Sequence, residues 1–125
     1  MASISNIKLS ATKTTGTGNK WKLTVTYDAN FSKFEVTNFK FRDGFVVWEK
    51  DKPPDPDDQL TGVEGVSQFN PTATLTKRTM THTIDGFTLD TEGFKGEELY
   101  VVVWLRNIDV NVLFKQRSPV LHLNP

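Results

Sequence analysis

One segment near the C-terminal end has the alternation of a β-strand but carries apolar side chains on both of its faces. Because successive side chains of a strand point to opposite faces, this run predicts a strand that is covered on both sides or that meets a partner. Residues Phe45 to Trp48 repeat the pattern on a second strand. In the longer segment the first face carries Leu99, Val101, Val103 and Leu105, and the second carries Tyr100, Val102 and Trp104.

Most other apolar residues also alternate with polar ones, which is the pattern of half-buried strands. The clearest example runs from Trp21 to Tyr27, and turn residues separate such runs throughout the chain. We therefore predict an all-β fold, an antiparallel two-sheet β-sandwich of about eight or nine strands, without a helix of useful length. The chain is predicted to form a single domain over residues 1–125, with an exposed acidic, proline-rich loop near residues 51–59.

Local signals predict where strands turn or shift register. Asp43-Gly44 is a strong hairpin dipeptide because a type I′ turn requires positive φ at both central residues. Phe34 and Val36 are assigned to a strand before it. A change of apolar phase predicts a bulge or turn near Lys77-Arg78.

The stretch from Gly86 to Leu89, a glycine-containing loop and the strand from Glu98 to Asn107 together resemble a known arrangement. They are similar to the E–F connection and F strand of fibronectin type III and related immunoglobulin-like sandwiches. Trp21 is similar to the early core tryptophan of those domains. The resemblance covers about a third of the chain and implies an immunoglobulin-like fold with a binding or spacer role. The acidic proline loop, the lack of a clear tyrosine corner and the lack of a cysteine pair depart from that pattern.

Composition restricts the function classes. The chain has 15 basic and 15 acidic residues, so its formal net charge is zero, and neither half is strongly charged. We expect neither nucleic acid nor an anionic membrane as a partner, whereas self-association is favoured by low charge repulsion. The absence of cysteine excludes disulfides, thiolate metal sites and cysteine nucleophiles. No signal peptide or transmembrane segment is recognised, which favours a cytoplasmic or particle-associated protein.

The predicted contact surface follows from the two strands that are apolar on both faces. Only one face can meet the opposing sheet, so the other needs a covering loop, a protein partner or a flat ligand such as a carbohydrate. We predict that Trp48, Tyr100, Val102 and Trp104 belong to this second face. Polar replacement of Tyr100 and Trp104 is expected to dissociate the assembly and to preserve the fold.

Candidate sites for metal or catalysis have weaker signatures. Asp85, Asp90 and Glu92 flank one turn region and could supply oxygen ligands to calcium, although they lack the spacing of a calcium loop. The alternative is ordinary solvated charge. No catalytic residues are predicted, because neither His82 nor His122 is accompanied by a serine in a recognisable nucleophile motif.

These observations lead to two functional hypotheses from different classes. The first is a non-catalytic structural or adaptor domain that acts through protein–protein contact, including contact within a homo-oligomer. The second is a ligand-binding module for carbohydrate or a calcium-dependent ligand. An enzyme is expected to be the least favoured class, and no cofactor other than calcium is implied.

Overall fold

The structure is a computed structural model and describes residues 1–14, 20–51, 53–86 and 97–123. It confirms an all-β, antiparallel chain, whose sheets curl into a half-barrel. The described elements are β1 (Ser3–Lys13), β2 (Lys20–Asn30), α1 (Lys33–Asn38), β3 (Phe41–Glu49), β4 (Asp58–Gln59), β5 (Glu64–Phe69), β6 (Leu75–Asp85), β7 (Glu97–Asn107), β8 (Val112–Arg117) and β9 (Leu121–Leu123). The helix within these ranges is too short to cross a membrane.

The strands form two sheets. A three-stranded sheet has the order β1-β2-β6, and a six-stranded sheet contains the path β4-β3-β7-β8. In the second sheet β5 pairs with β3 and β9 pairs with β7, so β3 and β7 form its centre. All these pairings are antiparallel.

Among the described residues, buried apolar side chains of both sheets pack into one cluster. Leu23 and Val25 of β2 are fully buried, as are Phe45 of β3 and Val103 of β7. Burying a side chain of this size stabilises the folded state by roughly 1.5–3 kcal/mol relative to leaving it exposed. The alternation of β7 therefore resolves into a core face with Leu99, Val101, Val103 and Leu105 and an outer face with Tyr100, Val102 and Trp104.

A buried polar group also joins the two sheets. Asp43 of β3 is fully buried, and Tyr27 of β2 donates its hydroxyl hydrogen to Asp43 Oδ2 at 2.7 Å. Arg78 of β6 donates to both carboxylate oxygens, at 2.8 and 3.1 Å. The same guanidinium lies 3.7 Å from the centroid of the Phe69 ring. A buried charge needs such partners, because taking an unpaired carboxylate out of water is expensive.

The predicted Asp43-Gly44 hairpin is wrong, because both residues lie in the interior of β3. Asp43 is held by its partners in the core, and Gly44 pairs with Trp104 on β7. The predicted interruption at Lys77-Arg78 is also wrong, since β6 pairs with β2 without a shift from Leu75 to Asp85. Arg78 lies on the core side of that strand because its guanidinium forms an ion pair with the buried Asp43 carboxylate.

The segment that includes Phe34 and Val36 is a helix and not the predicted strand. Ser32 caps α1: its hydroxyl accepts from the Glu35 backbone N–H at 3.1 Å, while the Glu35 carboxylate accepts from the Ser32 N–H at 2.9 Å. This reciprocal capping box satisfies backbone donors that the first helical turn leaves open. Glu35 also accepts the Ala2 backbone N–H at 3.0 Å, which ties α1 to the start of β1.

Candidate functional site: the outer face of the six-stranded sheet

The outer face of the six-stranded sheet is defined by the register of β3 and β7. Val46 lies opposite Val102, and Trp48 lies opposite Tyr100. Their strand neighbours Val47 and Val101 are fully buried, so these four side chains point away from the core. The four residues predicted for the contact surface, Trp48, Tyr100, Val102 and Trp104, therefore share one face.

A groove of about 500 Å³ runs across this outer face. Val46 and Val102 form an aliphatic floor, and Leu113 of β8 lies farther along the groove, opposite Arg106. Leu113 is 40% exposed and Val63 is 54% exposed, so the chain itself leaves much of this apolar surface open. The complete lining consists of Arg42, Val46, Trp48, Gln59, Val63, Val102, Trp104, Arg106, Leu113 and Lys115.

Gly44 determines how Trp104 lies in the groove. A Cβ atom at position 44 would come within 2.6 Å of Trp104 Cζ2, which is closer than atoms can approach. Glycine therefore leaves the space in which the indole ring packs against the β3 backbone. The absence of a side chain at position 44 is a packing requirement of the outer face and does not mark a turn.

The charged side chains of the groove are all basic. Arg42 and Arg106 lie directly opposite each other across β3 and β7, and Lys115 pairs with Trp104 across β7 and β8. Arg42 donates to Gln68 Oε1 at 3.3 Å and Arg106 donates to Asn111 Oδ1, so each guanidinium contacts an amide oxygen. None of the lining residues is acidic.

Tyr100 points to the outer face but is covered, with only 6% of its surface exposed. Its hydroxyl donates to Asp57 Oδ2 at 2.6 Å, which fastens the acidic proline loop to the sheet. The Arg117 guanidinium lies 3.6 Å from the centroid of the ring, and the Trp48 ring is parallel to it, with centroids 6.5 Å apart. The outer face is thus divided: the loop covers the Tyr100 end, and the groove around Val102 stays open.

Both tyrosines of the chain are held in their neutral form. Burial, followed by the nearby Asp43 carboxylate, raises the pKa of Tyr27 far above its ordinary range. Burial and the hydrogen bond to Asp57 raise the pKa of Tyr100 to about 12. The same hydrogen bond is the main reason that the pKa of Asp57 is lowered. A raised tyrosine pKa stabilises the fold below about pH 10, where unfolded tyrosine is neutral, and this contribution is lost at higher pH.

We therefore expect the native protein to show little tyrosinate absorbance at about pH 11, whereas the protein unfolded in denaturant titrates both tyrosines near pH 10. The measurement is a near-ultraviolet absorbance titration of native and unfolded samples. Tyr27→Phe assigns the steps, because the remaining native transition then belongs to Tyr100. A native transition near pH 10 that accounts for both phenols would contradict this prediction.

Of the three predicted calcium ligands, the structure describes one. Asp85 is the exposed last residue of β6, while Asp90 and Glu92 lie outside the described residues. The structure gathers a different set, in which carboxylate oxygens of Glu49, Asp51 and Asp58 lie within 4.8 Å of one another. The charge of Asp51 is the main reason that the pKa of Asp58 is raised, because like charges resist ionisation at short range.

The two histidines contact carboxylates. His82 Nδ1 of β6 lies 3.2 Å from Glu64 Oε2 of β5, and His122 Nδ1 lies 3.8 Å from Glu98 Oε1. Among the described residues, no serine hydroxyl is hydrogen-bonded to either ring. Glu98 and His122 are register partners on β7 and β9. The contact of His82 with Glu64 joins strands of the two different sheets. Nucleophilic catalysis by a serine and histidine pair requires a hydrogen bond between the serine hydroxyl and the histidine ring.

Sequence reasoning found the aromatic part of the outer face and missed its charged part. Arg42 and Arg106 could have been placed on this face only if the β3–β7 register were known. Strand alternation puts Arg106 on the same face as Val102 and Trp104, so one half of the pair was accessible from the pattern alone. Arg42 was hidden because the turn predicted at Asp43-Gly44 separated it from Phe45 to Trp48.

No protein-family model matches this chain. No curated protein matches it either. Among solved structures it is similar to one described as the X-ray structure of Northeast Structural Genomics Consortium target SoR45. The two chains are 11% identical over 98% of this chain and 85% of the other, with a TM-score of 0.45. A likeness of this size carries no argument about function.

Proposed function

We propose that this chain is a non-catalytic, immunoglobulin-like β-sandwich that acts as a structural or adaptor domain through protein–protein contact. Contact with a second copy is one form that this function takes. The observation that supports the proposal is the open aliphatic groove between Trp48 and Trp104 at the centre of the six-stranded sheet. Two sheets that share one core support the sandwich architecture.

The groove differs from scattered surface hydrophobic residues. Single exposed apolar side chains are normal on soluble proteins, whereas contiguous apolar surface bordered by polar groups is typical of interaction sites. Here Val46 and Val102 are cross-strand neighbours, and Trp48 and Trp104 flank them along the strands. Tryptophan and arginine are also enriched among residues that contribute most to protein interfaces.

The non-catalytic part of the proposal rests on how the titratable groups are used. Asp43 is bound on both carboxylate oxygens by Arg78 and by the Tyr27 hydroxyl, inside the core. Asp57 is bound by Tyr100, and His82 by Glu64. These groups fasten one element to another, and none of them lines the groove.

A ligand-binding module for carbohydrate, with or without calcium, is the alternative hypothesis. Sugar stacking requires a free aromatic face, and Tyr100 has little exposed surface. Of the two groove tryptophans, Trp48 is stacked with Tyr100 and Trp104 packs against Gly44. Exposed acidic groups such as Asp58 are common without a bound ion. We expect the same melting temperature in millimolar calcium and in chelator, and no binding on a glycan array. A calcium-dependent rise that Asp58→Asn abolishes would favour the alternative.

The contact is tested by placing a photoreactive amino acid at Leu113 and irradiating the cells that produce the protein. Leu75 provides the matched control, because it is also an exposed leucine, 49% exposed against 40%, but lies on β6 of the other sheet. We expect a discrete covalent protein adduct from position 113 and none from position 75. Val102→Lys, which places a charge on the groove floor, is expected to abolish the adduct.

The outcome identifies the kind of contact as well as its existence. An adduct of twice the mass of the 14.1 kDa chain means self-association, and any other discrete mass means an adaptor role. Equal labelling at Leu113 and Leu75, or an adduct that survives Val102→Lys, would show that the groove is not a protein-binding surface.

A further inference from the structure

We propose that the groove binds an acidic, extended segment of a partner protein, in which carboxylates and aliphatic or aromatic side chains point to the same side. This inference rests on the proposed function and specifies the chemistry of the partner. Three features support it: an opposed arginine pair, a basic border without counter-charges, and an aliphatic floor of limited length.

The opposed arginines are the first feature. Arg42 and Arg106 occupy directly paired positions on the same face of β3 and β7. Like charges in this relation destabilise a sheet, so the pair is unfavourable for folding alone. Gln68 and Asn111 contact the guanidinium groups through amide oxygens, which leaves both positive charges uncompensated. A carboxylate placed between the two side chains would reduce their repulsion and accept hydrogen bonds from both.

The basic border is the second feature. Lys115 adds a third positive charge beside Trp104, and the lining contains no acidic residue. None of the ion pairs found in residues 1–14, 20–51, 53–86 and 97–123 involves Arg42, Arg106 or Lys115. The chain as a whole has zero formal net charge, so acidic residues outside the groove balance this local excess. Electrostatic complementarity then selects an anionic occupant.

The aliphatic floor is the third feature and favours a peptide over a nucleic acid. Val46 and Val102 provide an apolar floor that suits branched or aromatic side chains and that makes no favourable contact with a phosphate backbone. From Arg42 to Trp48 the strand extends about 20 Å, at roughly 3.4 Å per residue, which an extended segment of about six residues spans. The acidic side chains of such a segment meet the arginines, and its apolar side chains enter the groove.

The test uses purified protein and a fluorescent peptide of about eight residues, in which glutamates and leucines occupy every second position and serines separate them, so that both point to one side. Its affinity is measured by fluorescence anisotropy, with the glutamine-for-glutamate peptide and a single-stranded oligonucleotide as competing probes. We expect the glutamate peptide to bind most tightly and its affinity to fall as salt is raised, because exposed charges are screened within about 8 Å at physiological ionic strength.

The variant Arg42→Glu/Arg106→Glu is expected to weaken binding of the acidic peptide by about tenfold or more, because two attractions become repulsions. The control Lys8→Glu/Lys22→Glu changes the net charge equally on exposed positions of β1 and β2 and is expected to leave the affinity unchanged. Lys115→Glu is a second, single-charge variant, expected to weaken binding several-fold. Circular dichroism confirms that each variant is folded.

Several results would overturn this inference. They are equal affinity for the glutamine peptide, tighter binding of the oligonucleotide, an unchanged affinity in the arginine double variant, or a dimer of this chain that excludes the peptide. The Leu113 photo-adduct distinguishes failure of this inference from failure of the proposed function. If it persists in Arg42→Glu/Arg106→Glu, the groove contacts a protein that is not acidic; if it never forms, the proposed function itself fails.

Discussion

Replacing Asp43 by alanine is expected to lower the free energy of unfolding by about 3–5 kcal/mol, because it removes one partner of a buried ion pair. The substitution leaves Arg78, whose side chain is only 19% exposed, without its carboxylate partner. It also removes the acceptor of the Tyr27 hydroxyl. The free energy of unfolding of a single domain is about 5–15 kcal/mol, so this substitution removes a large part of it. The measurement is equilibrium urea unfolding of both proteins.

Two further variants separate charge from shape in this cluster. Tyr27→Phe removes one hydrogen bond to a charged group and is expected to cost about 1.5–3 kcal/mol. The double variant Asp43→Leu/Arg78→Met removes both charges. It is expected to be much more stable than Asp43→Leu or Arg78→Met alone, since apolar groups can substitute for a buried pair. A loss below about 1 kcal/mol for Asp43→Ala would show that the pair does not join the sheets.

The all-β class was predictable because strand alternation is a local property of the sequence. The β7 segment shows this best: its two apolar sets correspond to the core face and the outer face of the sheet. The assignment of each set to its face was not predictable, since it depends on which side the other sheet covers. Val103 and Val102 are equivalent in the sequence pattern and differ only in the tertiary structure.

The failed turn at Asp43-Gly44 has a tertiary cause. The dipeptide favours positive φ and a reversal, yet Arg78 and Tyr27, distant in sequence, satisfy the Asp43 carboxylate inside a strand. Gly44 is required by the Trp104 ring, which comes from β7. Neither partner is visible from the local sequence, so turn chemistry alone could not have excluded the hairpin.

Helix α1, in contrast, had a local signal. Ser32 followed three residues later by Glu35 is the capping-box pattern, and the structure shows both of its hydrogen bonds. The spacing of Phe34 and Val36 resembled a strand because alternation over so few residues does not distinguish the two structures. The capping pattern was therefore the better predictor at this position.

The candidate site was predictable in part for the same reasons. Trp48, Val102 and Trp104 lie on the open portion of the outer face, as their alternation suggested. The coverage of Tyr100 by Asp57 depends on how the proline loop folds back, a contact between residues 43 positions apart. The basic character of the groove depends on strand pairing, which brings Arg42 opposite Arg106.

Replacing Gly65 by alanine is expected to destabilise the protein by about 2–4 kcal/mol, because two effects act at one position. Gly65 has a φ of +64°, which is strained for residues that carry a Cβ atom. It lies at a bulge, since Ser67 pairs with Asp43 and Glu64 pairs with Phe45. An added Cβ would also come within 2.8 Å of the Phe45 ring, which is fully buried.

Gly62 provides the matched control for this prediction. It lies three residues earlier in the same segment, and a Cβ atom there would have no neighbour within 4 Å. Gly62→Ala is expected to change the stability by less than about 0.5 kcal/mol. Thermal unfolding then shows a loss on the order of 10 °C for Gly65→Ala alone. Gly65→Asn separates the two effects, because asparagine tolerates positive φ but keeps the clash with Phe45. If Gly65→Ala and Gly62→Ala unfold at the same temperature, the bulge does not constrain the packing of Phe45.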